Sequence, residues 1–304
     1  MSASHVAPSA KASHTPRTVV ITGANTGIGR VTAVEIARTG ARVVLAGRSR
    51  ERTRATIAEI EALDAPDPAF VPVDLGDLAS VRDAAAEISG LAPTIDVLIN
   101  NAGLAGHRGT TTDGFELTFG VNHLGHFLLT HALLPSLHRS DAPRVVHVAS
   151  RAHTRARSIP WDELRVSTPS RTGLPEYSVS KLANVLFSHE LARRALASGS
   201  PLVSHALHPG VVATDIWRRL PGFLETVVKS FMLSEADGAK TTIHCALSEE
   251  AGKTTGLYWD RCRPRTASRA GRDDDLARVL WQRSAEWVGV EDNGSLPSHL
   301  SIAP

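Results

Sequence analysis

The chain is short of cysteine, of net charge and of long apolar runs, and each shortage excludes something. Only Cys245 and Cys262 occur among 304 residues, so a disulfide framework is ruled out and a reducing, cytoplasmic setting is expected. Lys and Arg number 33 against 31 Asp and Glu, a formal charge of +2 with histidine neutral. That balance offers no general attraction to nucleic acid or anionic lipid, so any bound phosphate must be held locally. No run approaches the roughly 18 apolar residues of a membrane span. Met1 to Pro16 also lacks the apolar stretch of a secretory leader and reads as a flexible tail. The 14 histidines include no H-E-x-x-H and meet no cysteine cluster. No metal is therefore expected, and His123, His126 and His131 read as packing or hydrogen-bonding residues.

What is present is core material. Apolar residues make up 42% and charged residues 21%, enough to fill a sizeable interior. Length alone suggests about two domains, but the pattern argues for one. From Arg17 the chain alternates longer helical stretches with short β-branched runs: Thr18 to Ile21, Arg42 to Leu45, Phe70 to Val73, Ile95 to Ile99, Arg144 to Val148, Leu202 to Leu207 and Gly256 to Trp259. Continuous apolar runs of this length fit strands buried on both faces. Seven of them with intervening helices predict a single α/β domain over 17–260, a doubly wound parallel seven-stranded sheet of the Rossmann type. In 261–304, Arg263 to Asp275 reads as a polar connector. Leu276 to Val288, with Leu280, Trp281 and Trp287 at near-helical spacing, reads as a docking helix before a loose end.

Two stretches break the rhythm. Arg151 to Glu176 holds three prolines and five arginines, and Ile216 to Asp237 carries Trp217, Leu220, Phe223, Leu224, Phe231 and Met232. Insertions after the carboxyl ends of such strands lie where ligands bind. The second stretch is apolar enough to cover a lipophilic molecule.

Thr22-Gly23-Ala24-Asn25-Thr26-Gly27-Ile28-Gly29 follows the first strand and opens a helix. Glycines there let the backbone turn tightly and approach a pyrophosphate, whose charge suits the free N–H groups of a helix N-terminus. The spacing is G-x-x-x-G-x-G. An NAD site would place a carboxylate about 20 residues further on, at the end of the second strand. Here that strand ends Leu45-Ala46-Gly47-Arg48-Ser49, with no acid before Glu51. A guanidinium pairs bidentately with a 2′-phosphate, so Arg48, with the Ser49 hydroxyl, predicts NADP(H), and Arg30 is a further candidate cation.

Tyr177 and Lys181 stand four apart at the start of a helical run and share a face. A phenol of pKa about 10 is a poor acid–base group at neutral pH. An ammonium roughly 5 Å away at an effective dielectric near 20 would lower that pKa by about 2 units. Ser150, ending the fifth strand, can hold a substrate oxygen, and Asn122 can extend a proton relay through water and Lys181. His153 reads either as a border of the pocket or as structural, and His208 as a neighbour of the cofactor.

Thr22 to Gly29 resembles the T-G-x-x-x-G-x-G signature of the short-chain dehydrogenase/reductase family, single-domain branch. Asn100-Asn101-Ala102-Gly103 resembles its N-N-A-G segment, Asp74-Leu75 its adenine-side pair and Pro209 to Thr214 its P-G-x-V-x-T stretch. Asn122, Ser150, Tyr177 and Lys181 resemble its catalytic tetrad. The resemblance implies that Gly23, Asn25, Thr26, Gly27, Ile28 and Gly29 cradle the dinucleotide. It implies further contacts from Asp74, Leu75, Asn101, Ala102, Gly103, Tyr177, Lys181, Pro209 and Gly210, with Val212 and Thr214 on the carboxamide. The 27 positions between Ser150 and Tyr177 exceed the family's usual spacing. With Val121 to Phe127, Ser180 to Asn184 and His208 to Val212, that spacing resembles the retinol dehydrogenase-like group. The activity implied is hydride transfer between NADP(H) and a small carbonyl or alcohol, by a homo-oligomer (dimer or tetramer) joined through the helices carrying Asn122 and Tyr177. A non-catalytic NADP(H) sensor on the same fold is the alternative, although a sensor needs neither Tyr177 nor Ser150.

Overall fold

The computed structural model describes residues 16–210, 234–292, 294 and 296. Strands β1 (Thr18–Thr22), β2 (Arg42–Gly47), β3 (Ala69–Pro72) and β4 (Val97–Asn100) alternate with helices α1 (Gly27–Ala37), α2 (Arg50–Glu61) and α3 (Leu78–Leu91). A short turn α4 (Leu117–Phe119) runs through a π-helical segment, Gly120–Leu124, into α5 (Gly125–Leu137). There follow β5 (Arg144–Val148), the long α6 (Leu174–Ala197), β6 (Val203–His208), α7 (Glu235–Leu247), α8 (Glu249–Gly252), β7 (Tyr258–Asp260), β8 (Arg263–Arg265) and α9 (Asp274–Val288).

The strands form one sheet in the order β3-β2-β1-β4-β5-β6-β7-β8. Seven are parallel, with Val20 opposite Val44 on one side and Leu98 on the other. Alternate side chains serve opposite layers. Val20, Val44, Leu98 and Val145 pack with α3, α5, α6 and α9, whereas Val19, Ile21, Val43, Leu45 and Ile99 pack with α1 and α7. Helices cover both faces, which is why the strands read as unbroken apolar runs rather than alternating ones. The order reverses direction between β1 and β4, and at such a switch point the loops diverge to leave a crevice.

Helix α9 packs on α5 and α6. Leu280 and Trp281 are buried, Trp281 lies against Phe127 of α5 and Phe187 of α6, and the Arg194 guanidinium stacks over its ring.

The sheet has one strand more than the sequence predicts. Arg263–Arg265, expected as connector, pairs antiparallel with β7 as an eighth strand. The hairpin turns on Arg261 and Cys262, both at positive φ, 53° and 56°. Two left-handed residues in a row are the geometry that Asn-Gly favours, so Arg-Cys carried no turn signal. Left-handed backbone costs an ordinary residue about 1–2 kcal/mol. Replacing Arg261 and Cys262 together by Asn and Gly is therefore expected to stabilise the fold by about 1 kcal/mol, seen as a higher midpoint in urea unfolding; an unchanged or lower midpoint would contradict the strain.

Candidate active site

The ends of β1 to β6 each contribute one edge of a cleft of about 1180 Å³ along the carboxyl side of the sheet. The glycine turn leaves β1, Arg48 follows β2, Asp74 and Leu75 follow β3, and Asn101 to Gly103 follow β4. Ser150 follows β5, Pro209 and Gly210 follow β6, and α6 brings Tyr177 and Lys181. All of these line the same cleft. Val212, Thr214 and most of the Ile216 to Asp237 stretch lie outside the described residues.

The turn needs its glycines. Gly23 sits at φ +69°, and a Cβ there would come 2.8 Å from Ala102 Cα. A Cβ on Gly29 would come 2.3 Å from the Gly23 carbonyl oxygen and 2.5 Å from Asn101 Nδ2. The backbone is thereby left open at the N-terminus of α1, and the cleft fits the elongated, anionic dinucleotide expected there. The Asn101 amide locks the turn, donating to the carbonyls of Thr22 at 2.8 Å and Gly23 at 3.1 Å.

Arg48 is exposed at the cleft and forms no ion pair among the described residues. Ser49 caps α2, its hydroxyl oxygen accepting from Arg52 N–H at 3.2 Å, which leaves the hydroxyl hydrogen available to a ligand. Arg30 is committed elsewhere: Nη2 lies 2.5 Å from Glu59 Oε2. That half-exposed pairing ties α1 to α2 through one guanidinium nitrogen, and sequence spacing gave no sign of it.

Asn122, in the π-helical segment, has its side chain fully occupied. Oδ1 accepts from Leu104 N–H at 2.7 Å, and Nδ2 donates to the Leu104 carbonyl at 2.9 Å and to Ser180 Oγ at 3.0 Å. Ser180 in turn donates to the Tyr177 carbonyl at 2.8 Å, a role the sequence did not reveal although Ser180 stands inside the Tyr177–Lys181 segment. Gly103 separates Asn122 from the lysine: a Cβ on it would lie 3.2 Å from Asn122 Oδ1 and 3.5 Å from Lys181 Nζ.

Lys181 Nζ donates to the Val148 carbonyl at 2.7 Å and lies 5.7 Å from the Tyr177 ring centre. Burial pushes its pKa down to about 8. The phenol differs from expectation. Burial holds the Tyr177 pKa above its ordinary value, and the hydrogen bond from Ser150 pulls the other way without prevailing. Desolvation therefore decides the direction in the protein alone, and the Lys181 charge does not lower the phenol. Ser150 Oγ also accepts from Ala152 N–H at 3.1 Å, capping the turn that begins at Arg151. His153 hydrogen-bonds the Ser150 carbonyl through Nδ1 at 2.7 Å and accepts from Ser268 N–H at 3.1 Å through Nε2, so it supports Ser150 from behind. His208 accepts from Arg151 N–H at 3.4 Å, and the Arg151 guanidinium grips Asp260 Oδ2 through Nε and Nη2 at 2.9 and 2.7 Å.

Several histidines near the site are buried and neutral. Desolvation lowers His123 to about 3 and His126 to about 4, against 6.5 in an unfolded chain. Below pH 6.5 the unfolded chain takes up protons that these folded rings refuse. Stability present above that pH is thus lost as the pH falls towards 4. At pH 5 each ring costs about 2 kcal/mol. The urea midpoint is accordingly expected to drop sharply between pH 7 and pH 5, and a flat profile over that interval would contradict the burial of neutral imidazoles.

A family model for short chain dehydrogenases matches residues 17–161. The human "dehydrogenase/reductase SDR family member 13" is 41% identical over 283 residues, spanning 90% of this chain and 74% of that protein. Human "retinol dehydrogenase 13" is 40% identical over 296 residues, covering 92% and 87%. A crystal structure of an uncharacterized protein from Mycobacterium paratuberculosis superposes with a TM-score of 0.73 at 38% identity, over 92% of this chain and 95% of that one.

Proposed function

The chain belongs to the short-chain dehydrogenase/reductase family, a family of oxidoreductases, and on that premise we propose that it is an NADP(H)-dependent reductase or dehydrogenase of a lipophilic carbonyl or alcohol. One observation carries the proposal: Ser150, Tyr177, Lys181 and the glycine turn share one cleft, with Arg48 at the end where the second strand carries no carboxylate. The relatives named as retinol dehydrogenases and the apolar Ile216 to Asp237 stretch favour a ketone or aldehyde of polyketide, steroid, retinoid or fatty type.

A dinucleotide bound in the cleft supplies or accepts the hydride. The Ser150 hydroxyl and the phenol hold the substrate oxygen in the reductive direction, and Tyr177 gives that oxygen its proton as negative charge develops. The raised phenol pKa suits this role, since the group stays protonated until a developing alkoxide can take the proton. Among the described residues, Lys181 keeps two N–H bonds free after its contact with Val148. These serve the nicotinamide ribose and the path along which Tyr177 regains a proton. The Asn122 amide, spent on Leu104 and Ser180, braces the wall of that path instead of touching substrate.

A cytoplasmic location and a homo-oligomer belong to the same proposal. Both cysteines are free, and among the described residues no helix is long and apolar enough to cross a membrane. Helix α9 lies on α6 and α5, so an assembly through those two helices would have to include α9.

Two variants test the proposal. Tyr177→Phe is expected to lower turnover of a carbonyl substrate by at least about 100-fold while the NADPH dissociation constant moves by less than a few-fold; substantial residual turnover would defeat the assignment, and wild-type protein that binds NADPH yet reduces no carbonyl in a broad panel would favour a sensor. Arg48→Asp is expected to reverse the preference for NADPH over NADH, the loss of a bidentate phosphate contact weakening NADPH by about 10- to 100-fold. A preference unaltered by that change would remove Arg48 from cofactor selection.

A further inference from the structure

His126 lies inside the apolar layer one turn beyond Asn122, 2% exposed, where a histidine needs a reason to be. Its ring has two partners. Nδ1 lies 3.1 Å from the Asn122 carbonyl oxygen, and Nε2 lies 2.9 Å from Thr22 Oγ1.

The chemistry of these partners fixes the tautomer. A carbonyl oxygen only accepts, so Nδ1 must carry the hydrogen. In a neutral ring Nε2 is then an acceptor and must be met by the Thr22 hydroxyl hydrogen. Thr22 Oγ1 is free to give it, because its lone pairs already accept from Asn101 N–H at 2.9 Å and Ala102 N–H at 3.0 Å. The alternative acceptor for that hydrogen, the Ile99 carbonyl, is farther off at 3.4 Å. Every polar atom of the linkage is then satisfied, and burial together with the nearby Lys181 charge keeps the ring uncharged. A charged ring would present two donors and displace the Thr22 hydrogen from Nε2.

The linkage joins two parts of the site directly, alongside the indirect route through Asn101 to Leu104. Thr22 ends β1 and anchors the dinucleotide turn to the Asn101 segment. The Asn122 side chain is spent on Leu104 and Ser180, and its backbone carbonyl is the group His126 takes. His126 takes one of the two lone pairs of that carbonyl oxygen.

We propose that His126 is a positioning residue: as a neutral imidazole protonated on Nδ1, it ties the Asn122 carbonyl to the Thr22 hydroxyl and so sets the spacing between the proton-relay wall and the dinucleotide turn. This rests on the oxidoreductase function proposed above. A histidine serving only to fill the core would be replaced by an apolar side chain of similar size without loss of rate.

The test has two arms. In the wild-type protein with 15N-labelled histidine, with His126→Asn used to assign the signal, the two-bond proton–nitrogen spectrum is expected to show a protonated Nδ1 and an unprotonated Nε2 at pH 7, unchanged at pH 5. A protonated Nε2 or a charged ring would overturn the proposal whatever the enzyme reduces. In kinetics, His126→Leu is expected to lower kcat by about 10- to 100-fold with the carbonyl KM within a few-fold, since small misplacements of a reacting geometry cost rates of that order. His126→Asn, which keeps a donor for the Asn122 carbonyl, is expected to recover part of the loss. Wild-type kcat in His126→Leu, or a fall matched by the loss of folded protein in circular dichroism, would overturn it. If the wild-type protein itself reduced nothing, the functional proposal would fail, and the imidazole spectrum would still decide the tautomer and the link to Thr22.

Discussion

The site depends on how closely the ends of β1 and β4 approach. Thr22 accepts two backbone amides from the Asn101 segment, and Asn101 returns two hydrogen bonds to the carbonyls of Thr22 and Gly23. Such closeness requires that Gly23 and Gly29 have no side chain, since a Cβ on either would collide with the opposing loop. The strand order reverses at this seam. A tight seam below and diverging loops above are what turn a flat sheet edge into a cleft with a glycine-lined floor.

Desolvation governs the chemistry above that floor. Lys181, Tyr177 and the nearby histidines are removed from water, and burial moves each towards its neutral form: the lysine down, the imidazoles down, the phenol up. The Lys181 charge alone would lower the phenol, but the cost of dehydrating a buried phenolate holds it up. The outcome suits a proton donor better than a standing phenolate. It also explains why the neutral rings of His126 and His153 can brace Asn122 and Ser150: an imidazole that stays uncharged offers one donor and one acceptor in fixed directions.

Much of this was legible in the sequence, because the parallel strands are buried on both faces and therefore stand out as continuous apolar runs. The strand ends then mark where Gly23 to Gly29, Arg48, Asp74, Asn101, Ser150 and Pro209 must fall, and these converge on one cleft. What remained hidden depends on contacts across the fold. The eighth strand turns on Arg261 and Cys262, residues without turn chemistry. The pairing of Arg30 with Glu59 joins two helices separated in sequence. Ser180 and His126 sit in helical segments whose apolar neighbours suggest packing, and only the distances to Asn122 and Thr22 reveal their polar work.

The central claim is that the cleft brings a reduced nicotinamide and a substrate carbonyl together for direct hydride transfer, with the proton coming from Tyr177. The most direct measurement is reduction of an accepted carbonyl with NADPH bearing deuterium at the transferring position of the nicotinamide, followed by mass and NMR analysis of the alcohol. Deuterium on the carbinol carbon, from one face of the nicotinamide only, is predicted. Consumption of NADPH that leaves the carbinol carbon unlabelled, or an alcohol labelled from solvent at carbon, would contradict the account.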